Sequence, residues 1–91
     1  MDIKKFGETF NVTDFKETYK ISGDLIKTVD GNVIINVGTT TLEDEHISNL
    51  NGDYFITDNT LNYTFRTYIN TYDTQKEVID LVIDAVKEIL K

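Results

Sequence analysis

The run Glu43-Asp44-Glu45-His46 holds the densest set of groups that could do chemistry. Hard cations take several carboxylate oxygens and transition metals take imidazole, so three acids beside the chain's one histidine read first as metal ligands. The spacing argues against that reading. Neighbours on a strand point to opposite faces, so only Glu43 with Glu45, or Asp44 with His46, could act together. The alternating ligand pattern of a calcium loop is also missing. Nucleophilic catalysis is as thinly supplied, because there is no cysteine and the only serines are Ser22 and Ser48. Ser48 would share a strand face with His46, yet no nucleophile elbow or other positioning motif surrounds the pair. The five glycines are dispersed, with neither GxGxxG nor GxxxxGK[ST] to cradle a phosphate. These absences predict a protein that is not an enzyme, with no metal site and no cofactor.

Charge is more informative. The net charge of −7 is uneven: residues 1–20 and 61–75 balance, residues 76–91 sum to −1, and residues 21–60 hold the remaining −6. Between Lys27 and Arg66 there is no lysine or arginine, while Asp30, Glu43, Asp44, Glu45, Asp53 and Asp58 accumulate. Nucleic-acid binding needs a basic footprint to release counterions from phosphate, and anchoring on anionic lipid needs one too. Direct contact with nucleic acid or with a membrane surface is therefore not expected. A basic protein partner is the natural opposite, docked on Glu43, Asp44, Glu45, Asp53 and Asp58. Tyr54 or Phe55, together with Tyr68, would supply aromatic anchors on the polar face. The bland alternative is an acidic surface that only keeps the chain soluble.

Carboxylates spaced along extended structure can imitate the phosphates of a duplex and occupy the groove of a nucleic-acid-binding protein. In size and charge the chain is similar to small phage proteins that inhibit host defence nucleases, anti-CRISPR inhibitors and DNA mimics among them. That is an analogy of class and implies only an inhibitory binding role. Usage rich in Ile, Asn, Lys, Tyr and Thr, with no Pro or Trp, has the flavour of an AT-rich bacterial or phage genome. The first residues, MDIKKFGETF, lack an apolar run after their lysines, and nothing approaches the ~18 apolar residues of a membrane span. The expected location is cytoplasmic.

The elements that would position these groups start from the C-terminal stretch Thr74 to Leu90. On a wheel at about 100° per residue, Val78, Ile79, Leu81, Val82, Ile83, Ala85, Val86, Ile89 and Leu90 fall on one side. The charged residues fall on the other. Thr74 with Glu77 has the form of a capping box. The apolar arc of roughly 200° exceeds the stripe needed to lie on one sheet, so something else must cover its flank. The alternative function follows: a structural or assembly subunit, a homo-oligomer completed by a second copy through the helix or a sheet edge.

Ahead of the helix the pattern is β. Tyr19 to Val29 reads as a strand interrupted by a bulge at Gly23. Asp30-Gly31 signals a hairpin into Val33, Ile35 and Val37, which share the core face. A two-residue loop sets Ile26 opposite Ile35 and Thr28 opposite Val33; a three-residue loop sets Val29 opposite Val33 and Leu25 opposite Val37. Leu42 to Leu50 admits a helix start at Thr41, but Asn51-Gly52 favours a hairpin with Ile47 opposite Ile56 and Ser48 opposite Phe55. Asp58-Asn59 reads as a turn, and Leu61 to Asn70 as the longest strand, with Leu61, Tyr63, Phe65 and Ile69 on the helix. Met1 to Thr18 matches neither period and predicts an irregular lead-in or a short helix begun at Thr13 or Asp14. Its phenylalanines Phe6, Phe10 and Phe15 are expected to pack against the helix flank. The sum is one small acidic α+β domain over residues 1–91. It is an antiparallel β-meander of four to five strands, packed on one face by a C-terminal amphipathic helix.

Overall fold

The computed structural model describes residues 2–68 and 73–90. Six strands run β1 (Asp2–Phe6), β2 (Thr9–Phe15), β3 (Tyr19–Lys27), β4 (Val33–Thr41), β5 (His46–Phe55) and β6 (Thr60–Thr67), followed by helix α1 (Gln75–Ile89). Each strand pairs antiparallel with the next, so spatial order is chain order. The class is the expected α+β meander, with more strands than the four to five predicted.

The additional strands come from the amino-terminal segment, which is a hairpin and not an irregular or helical lead-in. Ile3 pairs with Val12 and Phe6 with Thr9. Gly7 turns the chain at φ 63°, a conformation costly to any residue with a Cβ. The three phenylalanines separate. Phe10 joins the core, while Phe6 and Phe15, on the other face, are 65% and 66% exposed.

Alternation sorts the sheet into two faces. Toward the helix lie Val12, Ile21, Leu25, Val33, Ile35, Val37 and Leu50, all buried. From α1, Val78, Val82, Ala85 and Val86 close on them, and Ile3, Tyr19, Tyr54, Leu61 and Phe65 ring the cluster. No residue of the helix's apolar arc is exposed, since Ile79, Leu81, Ile83, Ile89 and Leu90 are half-buried. The sheet itself covers the wide arc. The opposite face has no helix and is mixed: Asn11, Asp24, Asn36, Asn51 and Thr64 stand in one polar row across five strands, and Ile26 and Ile34 stand exposed on the same face as Phe6 and Phe15. The Asn11 amide donates to Asp24 Oδ1 at 3.0 Å within that row.

The turn signals were misleading in two places. Asn51-Gly52 is not a hairpin; it lies inside the continuous strand β5, so neither that register nor a helix over 42–50 occurs. Gly52 is small because β6 passes close by: a Cβ there would lie 2.2 Å from the Asn62 carbonyl oxygen. Gly23 is likewise no bulge, since β3 pairs without a break, and a Cβ there would meet the Asn36 carbonyl oxygen at 2.1 Å. Such close backbone approach lets a sheet bend sharply.

Asp30-Gly31 does belong to a turn, but with neither expected register, because Lys27 pairs with Val33 and Leu25 with Ile35. Thr28 accepts from the Gly31 N–H at 3.0 Å and donates to the Asn32 carbonyl at 2.8 Å, which closes a longer loop. The true reversal between β4 and β5 is Leu42–Glu45, and Asn59, at φ 51°, helps turn β5 into β6 as expected of Asp58-Asn59. On β6, Leu61 and Phe65 pack toward the core while Tyr63 stays 43% exposed. The predicted partners Ile69 and Asn70 fall outside the described residues.

Thr74 is the N-cap of α1, but the capping box does not form. Its hydroxyl pairs with Ser48 Oγ at 3.1 Å in a buried contact, and the Glu77 carboxylate accepts from the Tyr19 hydroxyl. Both cap side chains tie the helix start to the sheet.

Candidate functional site

Strand direction places three segments at one end of the sheet, here the lower end: the β2–β3 turn at Lys16-Glu17-Thr18, the β4–β5 turn at Leu42–Glu45, and the start of α1. The contacts of Tyr19 with Glu77 and of Ser48 with Thr74 fix the helix start there. The upper end carries the other turns, among them Asp30 and Asp58.

The expected partner-binding residues therefore divide. Glu43, Asp44, Glu45 and Tyr68 belong to the lower end; Asp53, Tyr54 and Asp58 belong to the upper. The two groups stand at opposite ends of β5, whose ten residues span about 30 Å at ~3.3 Å each. They do not form one patch. The aromatic anchors are less available than expected, since Tyr54, Phe55 and Tyr68 are all half-buried. The Tyr54 hydroxyl donates to Asn59 Oδ1, and Tyr68 accepts from the Asn49 amide at 3.1 Å. Tyr68 also lies against His46, ring centroids 5.5 Å apart.

Local geometry explains the lower turn. Asp44 donates its N–H to the Thr41 carbonyl at 3.0 Å, Thr41 donates to the Glu45 carbonyl at 2.8 Å, and Thr41 Oγ1 accepts from Glu45 at 3.1 Å. Closing this loop puts Asp44 at φ 69°, which Asp tolerates better than most residues. Glu43, Asp44, Glu45 and His46 are all exposed. Among the described residues no three of His, Cys, Asp and Glu gather as metal ligands. Ser48 is buried against Thr74 and so does not turn toward His46. The irregularity at Thr39/Thr40 pairs Thr39 with Ser48 and Thr40 with His46, leaving Ile47 as the extra residue.

Electrostatics single out particular carboxylates. Lys16 pairs with Asp14 at 3.3 Å, Lys20 with Asp44 at 2.5 Å and Lys76 with Asp80 at 2.8 Å. The bond from Lys20, and then its charge, hold the Asp44 carboxyl below its usual value. Asp80 raises Lys76 in the same two ways. Glu17, Glu43 and Glu45 are exposed and make no ion pair among the described residues, so they are the surplus charge of this end.

A shallow crevice of about 310 Å³ between β2 and α1 adds Asp14, Glu77, Asp80 and Asp84, with Lys16 at its rim. The charge tally along the sequence missed these residues. Reading residues 1–18 as a hairpin would have brought the Lys16-Glu17-Thr18 turn beside 42–45. At the same end, burial first, and then Glu77 and Asp14, push the Tyr19 phenol up to about 12.

No helix among the described residues is long and apolar enough to cross a membrane. Comparison with protein-family models, with characterised proteins and with solved structures gives no match.

Proposed function

We propose that this chain is a non-catalytic binding protein that docks its lower end on a basic protein partner in the cytoplasm of a bacterial cell. The observation that supports it is the pairing pattern: Lys16, Lys20 and Lys76 are each engaged by a neighbouring aspartate, while Glu17, Glu43 and Glu45 project without a counter-charge. Exposed carboxylates of one sign raise the rate of encounter with a basic surface and give specificity to what stays bound. The partner surface is a compact basic one, such as the phosphate-binding site of a nucleic-acid-handling protein, which the chain would inhibit by occupancy. An extended imitation of a duplex fits less well, because it would need Asp53 and Asp58 in the same row as Glu43 and Glu45.

The experiment is a pull-down of tagged protein from bacterial lysate at low and high salt, with two variants. Glu17→Gln, Glu43→Gln, Glu45→Gln removes the surplus of the lower end; Asp53→Asn, Asp58→Asn removes the upper acids. The expected result is one basic protein, lost at high salt and with the lower variant, retained with the upper one. Capture that ignores salt and the lower variant would refute the reading.

A further inference from the structure

The sheet has two edges, and they are built differently. β1 is five residues long and carries Lys4 and Lys5, the short charged form that discourages pairing with another chain. β6 is eight residues long, with Arg66 its one charge and no proline. Asn62, Thr64, Arg66 and Thr67 are exposed along it. Tyr68 N–H donates to the Ile47 carbonyl at 2.9 Å. Peptide groups alternate direction along an antiparallel strand, so Asn62, Thr64 and Arg66 also aim at β5. Those of Leu61, Tyr63, Phe65 and Thr67 then aim outward, a template for one more strand.

We propose that β6 pairs with β6 of a second copy of this chain, antiparallel about a two-fold axis through Thr64. Two conditions select that register. Directly opposite residues must share a face, and the outward-aimed residues must meet each other. With Thr64 on the axis, Leu61 meets Thr67, Tyr63 meets Phe65, and Asn62 meets Arg66. On the helix face the exposed Tyr63 ring then lies against Phe65 of the other copy, an aromatic pair formed twice. On the polar face Thr64 meets itself.

Charge fits as well. Asn62 pairs with Asp53 across β5–β6. Arg66 of one copy, beside Asn62 of the other, has that Asp53 one strand spacing further, about 4.8 Å, within the length of its side chain. Arg66 is the only lysine or arginine between Lys27 and Lys76. The helix offers no comparable reason to associate, because its own sheet covers it.

The contact is small. Eight residues at ~3.3 Å along a sheet ~10 Å thick give roughly 270 Å² per copy and so about 540 Å² in total, below the ~1,200 Å² at which stable interfaces begin. A weak, reversible dimer with a dissociation constant of about 100 μM is expected.

The test is sedimentation of the whole chain over a dilution series from about 10 μM to about 1 mM, with circular dichroism to confirm folding. The wild type should pass from monomer to dimer. Thr64→Lys and Thr64→Glu, each at an exposed position, should each weaken association about tenfold, because like charges meet across the axis. An equimolar mixture of the two variants should restore it. A wild type monomeric throughout, a dimer indifferent to both substitutions, or a mixture that stays monomeric would each overturn the proposal. The acids of the lower end are untouched by these changes, so this result stands apart from that of partner capture.

Discussion

Gly52 is the position where one methyl group should matter most. Alanine there would put a Cβ 2.2 Å from the Asn62 carbonyl oxygen, 2.8 Å from Tyr63 Cα and 2.9 Å from Tyr63 Cβ. Ordinary contact begins near 3.4 Å, so the overlap is about 1 Å, and two of the three atoms are backbone that no rotamer can move. β6 must shift away from β5. Overpacking by a methyl costs about 1–3 kcal/mol. Each ladder hydrogen bond loosened by the shift adds about 0.5–1.5 kcal/mol. A loss of about 3–4 kcal/mol follows, against a total of roughly 5–14 kcal/mol for a chain of 91 residues. At a urea slope of about 1–1.5 kcal/mol/M, the unfolding midpoint should fall by about 2–4 M. Gly31→Ala is the control: the nearest atom, Ile56 Cγ2, is 3.8 Å away, so only the strain of φ 85° remains. That costs about 1–2 kcal/mol. Urea unfolding followed by circular dichroism separates the two. A Gly52→Ala midpoint equal to or above that of Gly31→Ala would show that β5 and β6 do not approach this closely.

Two further outcomes follow from polar groups near the core. Thr39 is fully buried and its hydroxyl has no hydrogen-bond partner among the described residues. Thr39→Val keeps the shape and removes an unpaired group, so it should raise stability by about 1 kcal/mol in the same urea assay; a loss would mean the hydroxyl is satisfied. For Tyr19, the folded chain holds the phenolic proton more tightly than the unfolded chain, from a usual 10.0 to about 12. Its contribution is therefore complete below pH about 10 and is lost as pH rises toward about 12. Thermal melts across that window should fall more steeply for wild type than for Tyr19→Phe, and parallel slopes would refute the coupling.

The parts of the fold legible in the sequence were those that repeat one simple rule. The α1 arc and the buried alternation of Val33, Ile35 and Val37 follow from period alone, and both are as read. Glycine was legible only as a turn former. Gly23 and Gly52 serve instead where a neighbouring strand's backbone occupies the space of a Cβ, a constraint set by a chain segment distant in sequence. Hairpin reasoning could not see it. The amino-terminal hairpin failed for a different reason: Phe6 and Phe15 sit on the open face, so hydrophobicity there does not alternate with burial and the period-2 signal is scrambled. The candidate site was legible as charge but not as place. Glu43 and Asp53 are ten residues apart in sequence and lie toward opposite ends of one strand, whereas Glu17 and Glu43 are far apart in sequence and share an end.

That geometry separates the two proposed surfaces from the folding core, which makes both accessible to clean substitution. Surface ion pairs such as the partly exposed Lys20–Asp44 and the exposed Lys76–Asp80 contribute little to stability, and unpaired exposed glutamates contribute less. Neutralising Glu17, Glu43 and Glu45 should leave the fold as it was, or ease its self-repulsion slightly. Thr64 stands on the open face and supports nothing in the core. Loss of partner capture or of dimer in such variants would therefore report on the surface itself. The same loss in a variant at Gly52, Leu50 or Ser48 would carry no such meaning, because Gly52 seats β6 against β5, and Leu50 and Ser48 hold the sheet against the helix.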